Sequence, residues 1–243
     1  MIRELTHGSL FSGIEGFGLG AALAGIKTEW SCELEKYQTK VIKKNFGDEH
    51  TVYGDIRTLE NPPFVNIISG GFPCQDISVA GKGAGIKGSR SGLWGEMLRV
   101  ITNVRPDYVV IENSPLLRKR GFEYVLHGFS EIGYDAQWQC LRGDFLGVQQ
   151  RRERMYIIAY PNSNFSELLR PKPIFREPYL PWELRGVYPG WRERRDIPEP
   201  RTFRSTNDLP NLVDRNKCLG NAVQPLMAQY LFECIKVYDA ENV

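Results

Sequence analysis

The sequence has few of the patterns that mark secreted, zinc-binding or membrane proteins. Its five cysteines are odd in number and widely spaced, and no two form a CxxC pair, so we expect neither a disulfide framework nor a zinc site. No apolar run approaches the length of a membrane-spanning helix, about 20 residues. Residues 1–7 lack the apolar segment of a secretory signal. These absences predict a cytoplasmic protein that binds no metal and no membrane.

The sequence also lacks a large excess of charge of one sign. Lys and Arg number 31, Asp and Glu number 29, and the formal net charge is +2, so the overall charge says little about partners. The distribution says more, because residues 151–204 contain twelve basic and seven acidic side chains. Such a segment fits an anionic partner on one face of the protein, and it also fits a solvated surface loop.

The 243 residues are enough for one α/β domain, with or without a small appendage. Short apolar runs alternate with amphipathic segments, an order typical of a doubly wound, mostly parallel sheet. The predicted strands end at residue 11 and cover residues 28–33, 64–68, 108–111 and 155–159. The predicted helices cover residues 18–23, 37–46, 93–104, 123–132 and 223–235.

The alternating pattern breaks at Pro161. Eight of the fifteen prolines lie in residues 161–200, and proline removes a backbone donor that helices and central strands need. We therefore predict a main domain over residues 1–160 and a small irregular appendage over residues 161–208. A C-terminal segment over residues 209–243 is predicted to return to the main domain.

The most informative segment is residues 69–78, where a cysteine follows a proline. Cys74 comes shortly after the apolar run at residues 64–68, which predicts a loop at the carboxyl end of a strand, where open α/β sheets bind ligands. Pro73 fixes the backbone before it, and the two preceding glycines allow a ligand to approach closely. A lone cysteine of this kind is either a buried structural residue or a reactive thiol.

Three further features are typical of a nucleotide-like cofactor site. Residues 11–17 form a glycine-bearing turn between the first strand and a helix, although the spacing is not GxGxxG and an NAD-binding turn also fits. Glu33 ends the second strand, where an acid can bind ribose hydroxyls. Asp55, in the segment Gly54-Asp55-Ile56, ends a further short strand between those at residues 28–33 and 64–68, where an acid is also a common cap or turn former.

Two polar segments and one turn complete the pattern. Glu112 follows the buried strand at residues 108–111, where a carboxylate close to a loop cysteine can act as the acid paired with a nucleophile. Arg152 and Arg154 stand two positions apart, so in extended backbone they project from one face and can grip a phosphate or a base carbonyl. Residues 217–223 form a turn into the last helix.

In this order, the motifs resemble those of the cytosine-C5 DNA methyltransferases. That family carries FxGxG, an acid after each of the next two strands, GxPCQ, ENV, QxRxR and GNxV. The corresponding positions here are residues 11–15, Glu33, Asp55 and residues 71–75, 112–114, 150–154 and 220–223. The resemblance covers residues 6–160 and 209–238. It implies a Rossmann-like fold that uses S-adenosylmethionine, in a compact bacterial or phage type whose short target-recognition region is residues 161–208.

The resemblance implies roles for four catalytic residues. Cys74 is the implied nucleophile, which adds to carbon 6 of a cytosine flipped out of duplex DNA. Glu112 is expected to contact N3 and the amino group of the base, and Arg154 its carbonyl oxygen. Arg152 is expected to contact the neighbouring phosphate.

The resemblance also implies contacts to S-adenosylmethionine and to DNA. The implied cofactor residues are Phe11, Gly13, Ile14, Glu33, Asp55, Ile56, Pro73, Leu93, Asn221 and Val223. The implied DNA contacts are Gln75, Ser78, Arg90, Arg185 and Trp191. We expect a monomer that acts on double-stranded DNA, and the sequence is compatible with restriction defence, regulation or a viral role.

Four positions depart from the family pattern. Ser9 replaces the usual Asp, Glu15 a glycine, Leu34 an aromatic residue and Ser114 a valine, and none of these changes removes a catalytic group. Two alternatives accompany the main interpretation. The first is the same chemistry on RNA, whose enzymes typically carry a Cys-Phe-Thr insertion that this sequence lacks. The second is an inactive DNA-binding relative, which the intact catalytic positions disfavour.

Overall fold

The computed structural model describes residues 3–73, 92–146, 152–162, 172–176 and 222–242. The strands in these residues form one seven-stranded sheet. They are β1 (Thr6–Leu10), β2 (Lys27–Cys32), β3 (Thr51–Tyr53), β4 (Ile67–Gly70), β5 (Tyr108–Asn113), β6 (Tyr134–Arg142) and β7 (Glu153–Pro161). The α-helices of the same residues are α1 (Gly16–Leu23), α2 (Lys36–Phe46), α3 (Leu93–Val104), α4 (Phe122–Glu131) and α5 (Pro225–Asn242).

The strands lie in the order β3-β2-β1-β4-β5-β7-β6. The first five in this order are parallel neighbours, and β7 runs antiparallel to both β5 and β6. The chain forms β2 and β3 on one side of β1 and later forms β4 on the other side, so the direction of winding reverses between β1 and β4. Ligands bind at the carboxyl ends of the strands at such a reversal. The predicted doubly wound, mostly parallel sheet is confirmed.

Helices cover both faces of the sheet. On one face, α3 and α4 bury Met97, Ile101 and Phe129 against the strands. On the other face, α1 and α5 bury Phe17 and Leu231. Successive residues of β5 alternate between these two cores, because successive side chains of a strand point to opposite faces. None of the helices in the described ranges combines the length and apolar character that crossing a bilayer requires.

The C-terminal helix α5 is held closely against α1. A Cβ atom added at Gly20 would lie 2.4 Å from the Cβ of Ala228, so the two helices approach at a position that only glycine permits. The Nζ of Lys236 donates a hydrogen bond to the carbonyl oxygen of Ala24 at 2.8 Å. Residues 222–242 therefore pack in the same core as the beginning of the chain.

The fourth strand begins later than the sequence pattern predicts. The apolar run at residues 64–68 predicts a strand there, but β4 begins at Ile67, and Phe64 is 57% exposed. Asn66 explains the shift, because its side chain accepts the backbone N–H of Thr6 at 2.9 Å and donates to the carboxylate that precedes β5. Its amide ties together the amino-terminal ends of two strands before the regular ladder of β4 begins.

The sequence pattern does not predict β6. Buried and exposed positions alternate imperfectly along this strand, which lies at the edge of the sheet, and Trp138 is 46% exposed. Its register comes from antiparallel pairing with β7 along its whole length. Because the position of β6 depends on β7, which lies later in the chain, the order of apolar and polar residues within β6 does not reveal the strand.

Residues 172–176 belong to the predicted appendage and pack on the sheet. Ile174 is fully buried, and its backbone N–H donates to Oε1 of Gln137 at 2.9 Å. The hydroxyl of Tyr230 on α5 donates to the carbonyl oxygen of Arg176. The remaining residues of the predicted appendage, apart from 161 and 162, lie outside the described residues.

Candidate active site

A cavity of about 750 Å³ opens at the carboxyl ends of the parallel strands, a size in the range of small-molecule sites. Its walls come from the segments that follow β1 to β5, from the start of α3 and from the start of β7. The residues predicted to be catalytic or to bind the cofactor that line it are Phe11, Gly13, Glu33, Asp55, Ile56, Pro73, Leu93, Glu112, Arg152 and Arg154. Leu34 and Ser114, two of the departures from the family pattern, line it as well. The predicted cofactor residues and the predicted base-contacting residues therefore share one continuous space.

The turn after β1 has unusual backbone angles. Phe11 has a φ of 52° and Gly13 a φ of 58°, both in the left-handed region that favours glycine. Ser12 holds the turn to β2, because its N–H donates to the carbonyl oxygen of Cys32 at 3.1 Å and its Oγ accepts the N–H of Cys32 at 3.1 Å. The backbone at Gly13 is open, since an added Cβ would meet no atom within 4 Å.

Glu33 occupies the position after β2 that the sequence predicts for a ribose-binding acid. Its Oε2 accepts the backbone N–H of Gly13 at 2.7 Å, and its Oε1 accepts that of Glu35 at 2.9 Å. Burial raises the pKa of Glu33 above its ordinary value, and hydrogen bonds from these two N–H groups oppose the rise. A carboxylate has about four lone-pair sites, so Glu33 retains acceptors for the hydroxyl groups of a ligand.

Asp55 and Ile56 begin the turn after β3. The carboxylate of Asp55 accepts the backbone N–H of Arg57 at 3.0 Å and pairs with its guanidinium at 2.6 Å. These hydrogen bonds from Arg57 hold the pKa of Asp55 below its ordinary value. Asp55 is thus the turn former that the sequence allows, and it also lines the cavity.

Glu15 stands where the family pattern has a glycine, and its side chain points inward. Its backbone is left-handed with a φ of 69°, its Oε1 accepts the N–H of Gly18 at 3.1 Å, and the residue is 1% exposed. Burial raises the pKa of Glu15 to about 7, although the nearby polar groups, the hydroxyls of neighbouring serines and the N–H of Gly18, oppose the rise. Glu15 does not line the cavity, so this departure leaves the cavity wall unchanged.

Glu112 and Arg154 form an ion pair at the other end of the cavity. The Nε of Arg154 lies 2.8 Å from Oε1 of Glu112, and their side chains are 26% and 12% exposed. The antiparallel pairing of β5 with β7 creates this contact. Glu112 lies opposite Tyr156, and Arg154 is two residues along on the same face of β7.

The electrostatics of Glu112 suit an acid. Burial raises its pKa above the ordinary value, and the charges of Arg154 and Arg152 oppose the rise. A carboxyl that takes up a proton more readily than usual is able to deliver that proton to a ring nitrogen of a bound base.

Arg152 bridges the start of β7 and the segment before α5. Its Nη1 donates to the carbonyl oxygen of Ala222 at 3.0 Å. A guanidinium has five N–H donors, so this bond leaves donors for a further acceptor in the cavity. The C-terminal segment is therefore tied to the site through one of the predicted catalytic residues.

The segment that leads to Cys74 is held against β5. The Nδ2 of Asn113 donates to the carbonyl oxygen of Phe72 at 3.1 Å. A Cβ atom at Gly71 would lie 3.1 Å from Oε2 of Glu112, so glycine permits this close approach. Cys74 itself lies outside the described residues, and its position relative to Glu112 stays a prediction.

Other predicted residues lie away from the cavity or outside the described ranges. Ile14 and Val223 do not line the cavity, and the carbonyl oxygen of Val223 packs against Gly16 at the start of α1. The residues outside the described ranges are Cys74, Gln75, Ser78, Arg90, Arg185, Trp191 and Asn221. The roles expected for these residues stay predictions.

The cavity also contains residues that the motifs do not assign to it. Phe72 is the variable position of the motif at residues 71–75. Cys32 and Arg57 each lie next to a predicted cofactor residue, so this closeness is the signal that could have found them. Gln38 and Glu96 lie on α2 and α3. Only the folding of these helices over the strand ends brings the two side chains to the cavity.

The lining of the cavity suits a nucleoside-like cofactor. Glu33 offers acceptors for hydroxyl groups, and the apolar side chains of Phe11, Ile56 and Leu93 offer surface to a flat ring. Asp55 offers an acceptor for an amino group. Across the described ranges, no group of three or more His, Cys, Asp or Glu side chains is arranged to hold a metal ion.

Comparisons with known proteins match much of the chain. Residues 5–185 match the family model of the C-5 cytosine-specific DNA methylases. The chain is 35% identical to the Type II methyltransferase M1.ScrFI of Lactococcus lactis subsp. cremoris, over 68% of this chain and 44% of that protein. It is 36% identical to the Type II methyltransferase M2.BsuMI of Bacillus subtilis (strain 168), over 62% of this chain and 41% of that protein. The aligned part is thus less than half the length of either relative.

A solved structure has a similar fold. The methyltransferase EhMeth of Entamoeba histolytica superposes with a TM-score of 0.64, at 14% sequence identity, over 99% of this chain and 100% of that chain. At this level of identity the likeness concerns the fold alone.

Proposed function

The chain belongs to the C-5 cytosine-specific DNA methylase family, and on that premise we propose that it transfers a methyl group from S-adenosylmethionine to carbon 5 of a cytosine in double-stranded DNA. One observation carries the proposal. The partly buried ion pair of Glu112 and Arg154 lies in the same cavity as Gly13, Glu33 and Asp55. Group transfer requires a donor and an acceptor held side by side, and this cavity has room for both.

The proposed cofactor end of the cavity holds S-adenosylmethionine, whose sulfonium supplies the electrophilic methyl group. Glu33 binds the ribose hydroxyls through its remaining lone pairs, and Asp55 and Ile56 bind the adenine. Phe11 and Gly13 lie at the amino-acid part. The other proposed cofactor residues are Pro73, Leu93 and Asn221. Ile14 and Val223, which were expected from the sequence, do not line the cavity and are not proposed as direct contacts.

The proposed base end holds a flipped cytosine, because a stacked base in a duplex cannot reach the cavity. Arg154 donates to the carbonyl oxygen of the base. Glu112 delivers a proton to N3 while the thiolate of Cys74 adds to carbon 6, which makes carbon 5 nucleophilic. Carbon 5 then takes the methyl group and the donor leaves as its neutral thioether. Carbon 5 loses its proton to water, N3 returns its proton to Glu112, and the bond from sulfur to carbon 6 breaks, which restores the 5,6 double bond and the thiolate of Cys74.

The proposal includes contacts to DNA along the rest of the chain. Arg152 holds the phosphate beside the target base, and the further DNA contacts are Gln75, Ser78, Arg90, Arg185 and Trp191. Residues 1–160 form the cofactor-binding and catalytic domain, residues 161–208 recognise the target, and residues 209–243 return to the catalytic domain. A recognition region this short favours a short or degenerate target sequence.

We further propose that the enzyme acts as a monomer in the cytoplasm of a bacterium or a phage-infected cell. The names of its Type II methyltransferase relatives support a role in restriction–modification. Bisulfite sequencing of DNA from cells that express the protein gives the target sequence. A long, strict recognition site would count against the proposed short recognition region.

Trapping on duplex DNA that contains 5-fluorocytosine tests the proposed reaction. The wild-type protein with S-adenosylmethionine should form a covalent adduct that survives denaturation, because fluorine cannot leave carbon 5 as the proton does. Cys74→Ala should form none, whereas Cys140→Ala, which alters a cysteine on β6, should form as much as the wild type. An adduct with Cys74→Ala, or methylation of transfer RNA in place of duplex DNA, would contradict the proposal.

A further inference from the structure

We propose that Arg99 is a positioning residue for S-adenosylmethionine, and that it acts by joining two walls of the cavity. This inference rests on the proposed function, because it concerns the cofactor that the function requires. Arg99 lies on α3 and does not itself line the cavity. Its influence on a ligand therefore passes through the residues that it holds.

The guanidinium of Arg99 makes three hydrogen bonds that converge on the cofactor end. Its Nη2 donates to the carbonyl oxygen of Ile56 at 2.7 Å, and its Nη1 donates to that of Leu59 at 2.9 Å. Its Nε donates to Oε2 of Glu96 at 2.7 Å. The side chain is 33% exposed, so these bonds are partly shielded from water.

The two carbonyl groups belong to the turn that carries the proposed adenine-binding residues. Ile56 begins a short 3-10 turn, Asp55 caps it, and Leu59 follows it. Within the turn the carbonyl oxygen of Ile56 accepts the N–H of Leu59 at 3.2 Å, so Arg99 is a second donor to it, whereas the carbonyl group of Leu59 lies past the end of the turn. Arg99 supplies donors to them from across the cavity wall, and in the described part of the chain no other side chain joins this turn to α3 by a hydrogen bond.

The other wall is the first turn of α3. Gly92, Leu93 and Glu96 line the cavity there, the first two about two helical turns before Arg99 and Glu96 about one. Met97 and Ile101 anchor the same helix in the core, and both are fully buried. Since α3 is fixed to the sheet, Arg99 sets the position of the turn at Ile56 relative to Leu93, and these two apolar residues face the same space.

The contact of residue 99 with two carbonyl groups and one carboxylate requires a planar side chain that carries several N–H donors. Arginine presents several N–H groups in fixed directions and can serve two carbonyl groups and one carboxylate at once. Lysine carries the same charge on a single nitrogen and cannot span the two carbonyl groups in the same way. Replacement by methionine keeps most of the apolar stem and removes every donor.

Calorimetric titration of the purified chain with S-adenosylmethionine tests the inference. Arg99→Met should weaken binding by about tenfold, the order of effect that residues coupled to a site produce. In steady-state assays the KM for S-adenosylmethionine should rise by a similar factor, whereas kcat at saturating cofactor should stay close to that of the wild type. Arg99→Lys should fall between Arg99→Met and the wild type.

Arg105→Met is the matched control. Arg105 follows the end of the same helix, its Nη1 donates to the carbonyl oxygen of Ile132 at 2.6 Å, and its guanidinium lies over the ring of Tyr134. This contact is outside the cavity. The two variants should lose similar amounts of thermal stability, but only Arg99→Met should change the dissociation constant.

The outcomes separate the inference from the function on which it rests. No binding of S-adenosylmethionine to the wild type would contradict the proposed function itself. Binding to the wild type with unchanged binding to Arg99→Met would overturn the role of Arg99 alone. Equal weakening by Arg99→Met and Arg105→Met would also overturn it, because general destabilisation would then account for the loss. If Arg99→Met does not fold, Arg99→Lys provides the same comparison.

Discussion

The two ends of the cavity are built differently. At the cofactor end, Glu33 and Asp55 lie on turns after parallel strands, and backbone N–H groups hold both carboxylates. At the base end, Glu112 and Arg154 hold each other across the antiparallel strands β5 and β7. Backbone donors survive side-chain substitution, whereas removal of one member of a buried ion pair leaves the other charge without a partner. Single substitutions should therefore do more damage at the base end.

Arg154→Ala should produce the largest effect. It removes the proposed donor to the base and leaves the partly buried Glu112 without its closest cation, so kcat/KM for methyl transfer should fall about 10³-fold. Steady-state assays on duplex DNA measure the loss. Arg142→Ala is the matched control, because Arg142 forms an ion pair with Asp144 at the surface and should change kcat/KM less than about twofold. A loss as large for Arg142→Ala or Arg185→Ala would undermine the contrast between the two ends.

Glu15→Gln should change the free energy of unfolding in a pH-dependent way. Glu15 is a buried residue two positions after Gly13 at the cofactor end. The pKa of Glu15 is raised from 4.5 to about 7 in the folded protein, so the folded state binds this proton more tightly than the unfolded state. The stabilisation that results is complete below about pH 4.5, declines as the pH rises to about 7, and is absent above that, a loss of about 3 kcal/mol.

Urea unfolding at pH 5 and pH 8 checks this prediction. Glutamine keeps an acceptor for the N–H of Gly18 and never ionises, so Glu15→Gln should exceed the wild type in stability by about 2–3 kcal/mol at pH 8 and by little at pH 5. Glu60→Gln, at an exposed position, is the control. Parallel pH profiles for the wild type and Glu15→Gln would show that Glu15 does not titrate in this way.

Glu33→Gln should have an intermediate effect at the cofactor end. The amide has one oxygen in place of two, so either the N–H of Gly13 or that of Glu35 loses its acceptor, and a ribose hydroxyl loses a charged partner. Binding of S-adenosylmethionine should weaken about tenfold, equivalent to about 1.4 kcal/mol. Calorimetric titration measures this, with Glu29→Gln as a control that alters a carboxylate paired with Lys27. If Glu33→Gln weakened binding of S-adenosylmethionine 10³-fold, the effect would match that expected for Arg154→Ala, and the expected difference between the two ends would be contradicted.

Arg57→Ala should have the smallest effect. Its guanidinium pairs with Asp55 at an exposed position, but the backbone N–H of residue 57 continues to hold the carboxylate after the substitution. The dissociation constant of S-adenosylmethionine should change less than about threefold, and less still at high salt, because exposed pairs contribute little. If Arg57→Ala weakened binding more than Glu33→Gln, side chains and not backbone N–H groups would be the donors that hold the carboxylates at the cofactor end.

The base end shows how far sequence reasoning reaches. The order of motifs identified Glu112 and Arg154, which are far apart in the chain, as parts of one site. The apolar run at residues 155–159 predicted a buried strand but not its direction, because a buried strand has the same composition whether it runs parallel or antiparallel. The antiparallel direction of β7 is what brings Arg154 within 2.8 Å of Glu112.

The cofactor end shows where sequence reasoning stops. The family pattern identified Glu15 as a departure, but only the structure shows, by its 1% exposure and its hydrogen bond from Gly18, that its side chain points into the interior and away from the cavity. No motif singled out Arg99. Its partners, Ile56 and Leu59, lie about 40 residues earlier in the chain, with separations of 43 and 40.

The sequence by itself determined the fold class, the residues of most helices and strands, and the chemical identity of the charged groups in the site. These are local properties, because the period of apolar residues and the chemistry of a side chain do not depend on distant segments. Only the tertiary structure decided the direction of β7, the late start of β4 and the contacts of Arg99 and Arg152. Each of these features depends on contacts between segments that are far apart in the chain. Those contacts form only when the whole sheet packs between its two layers of helices.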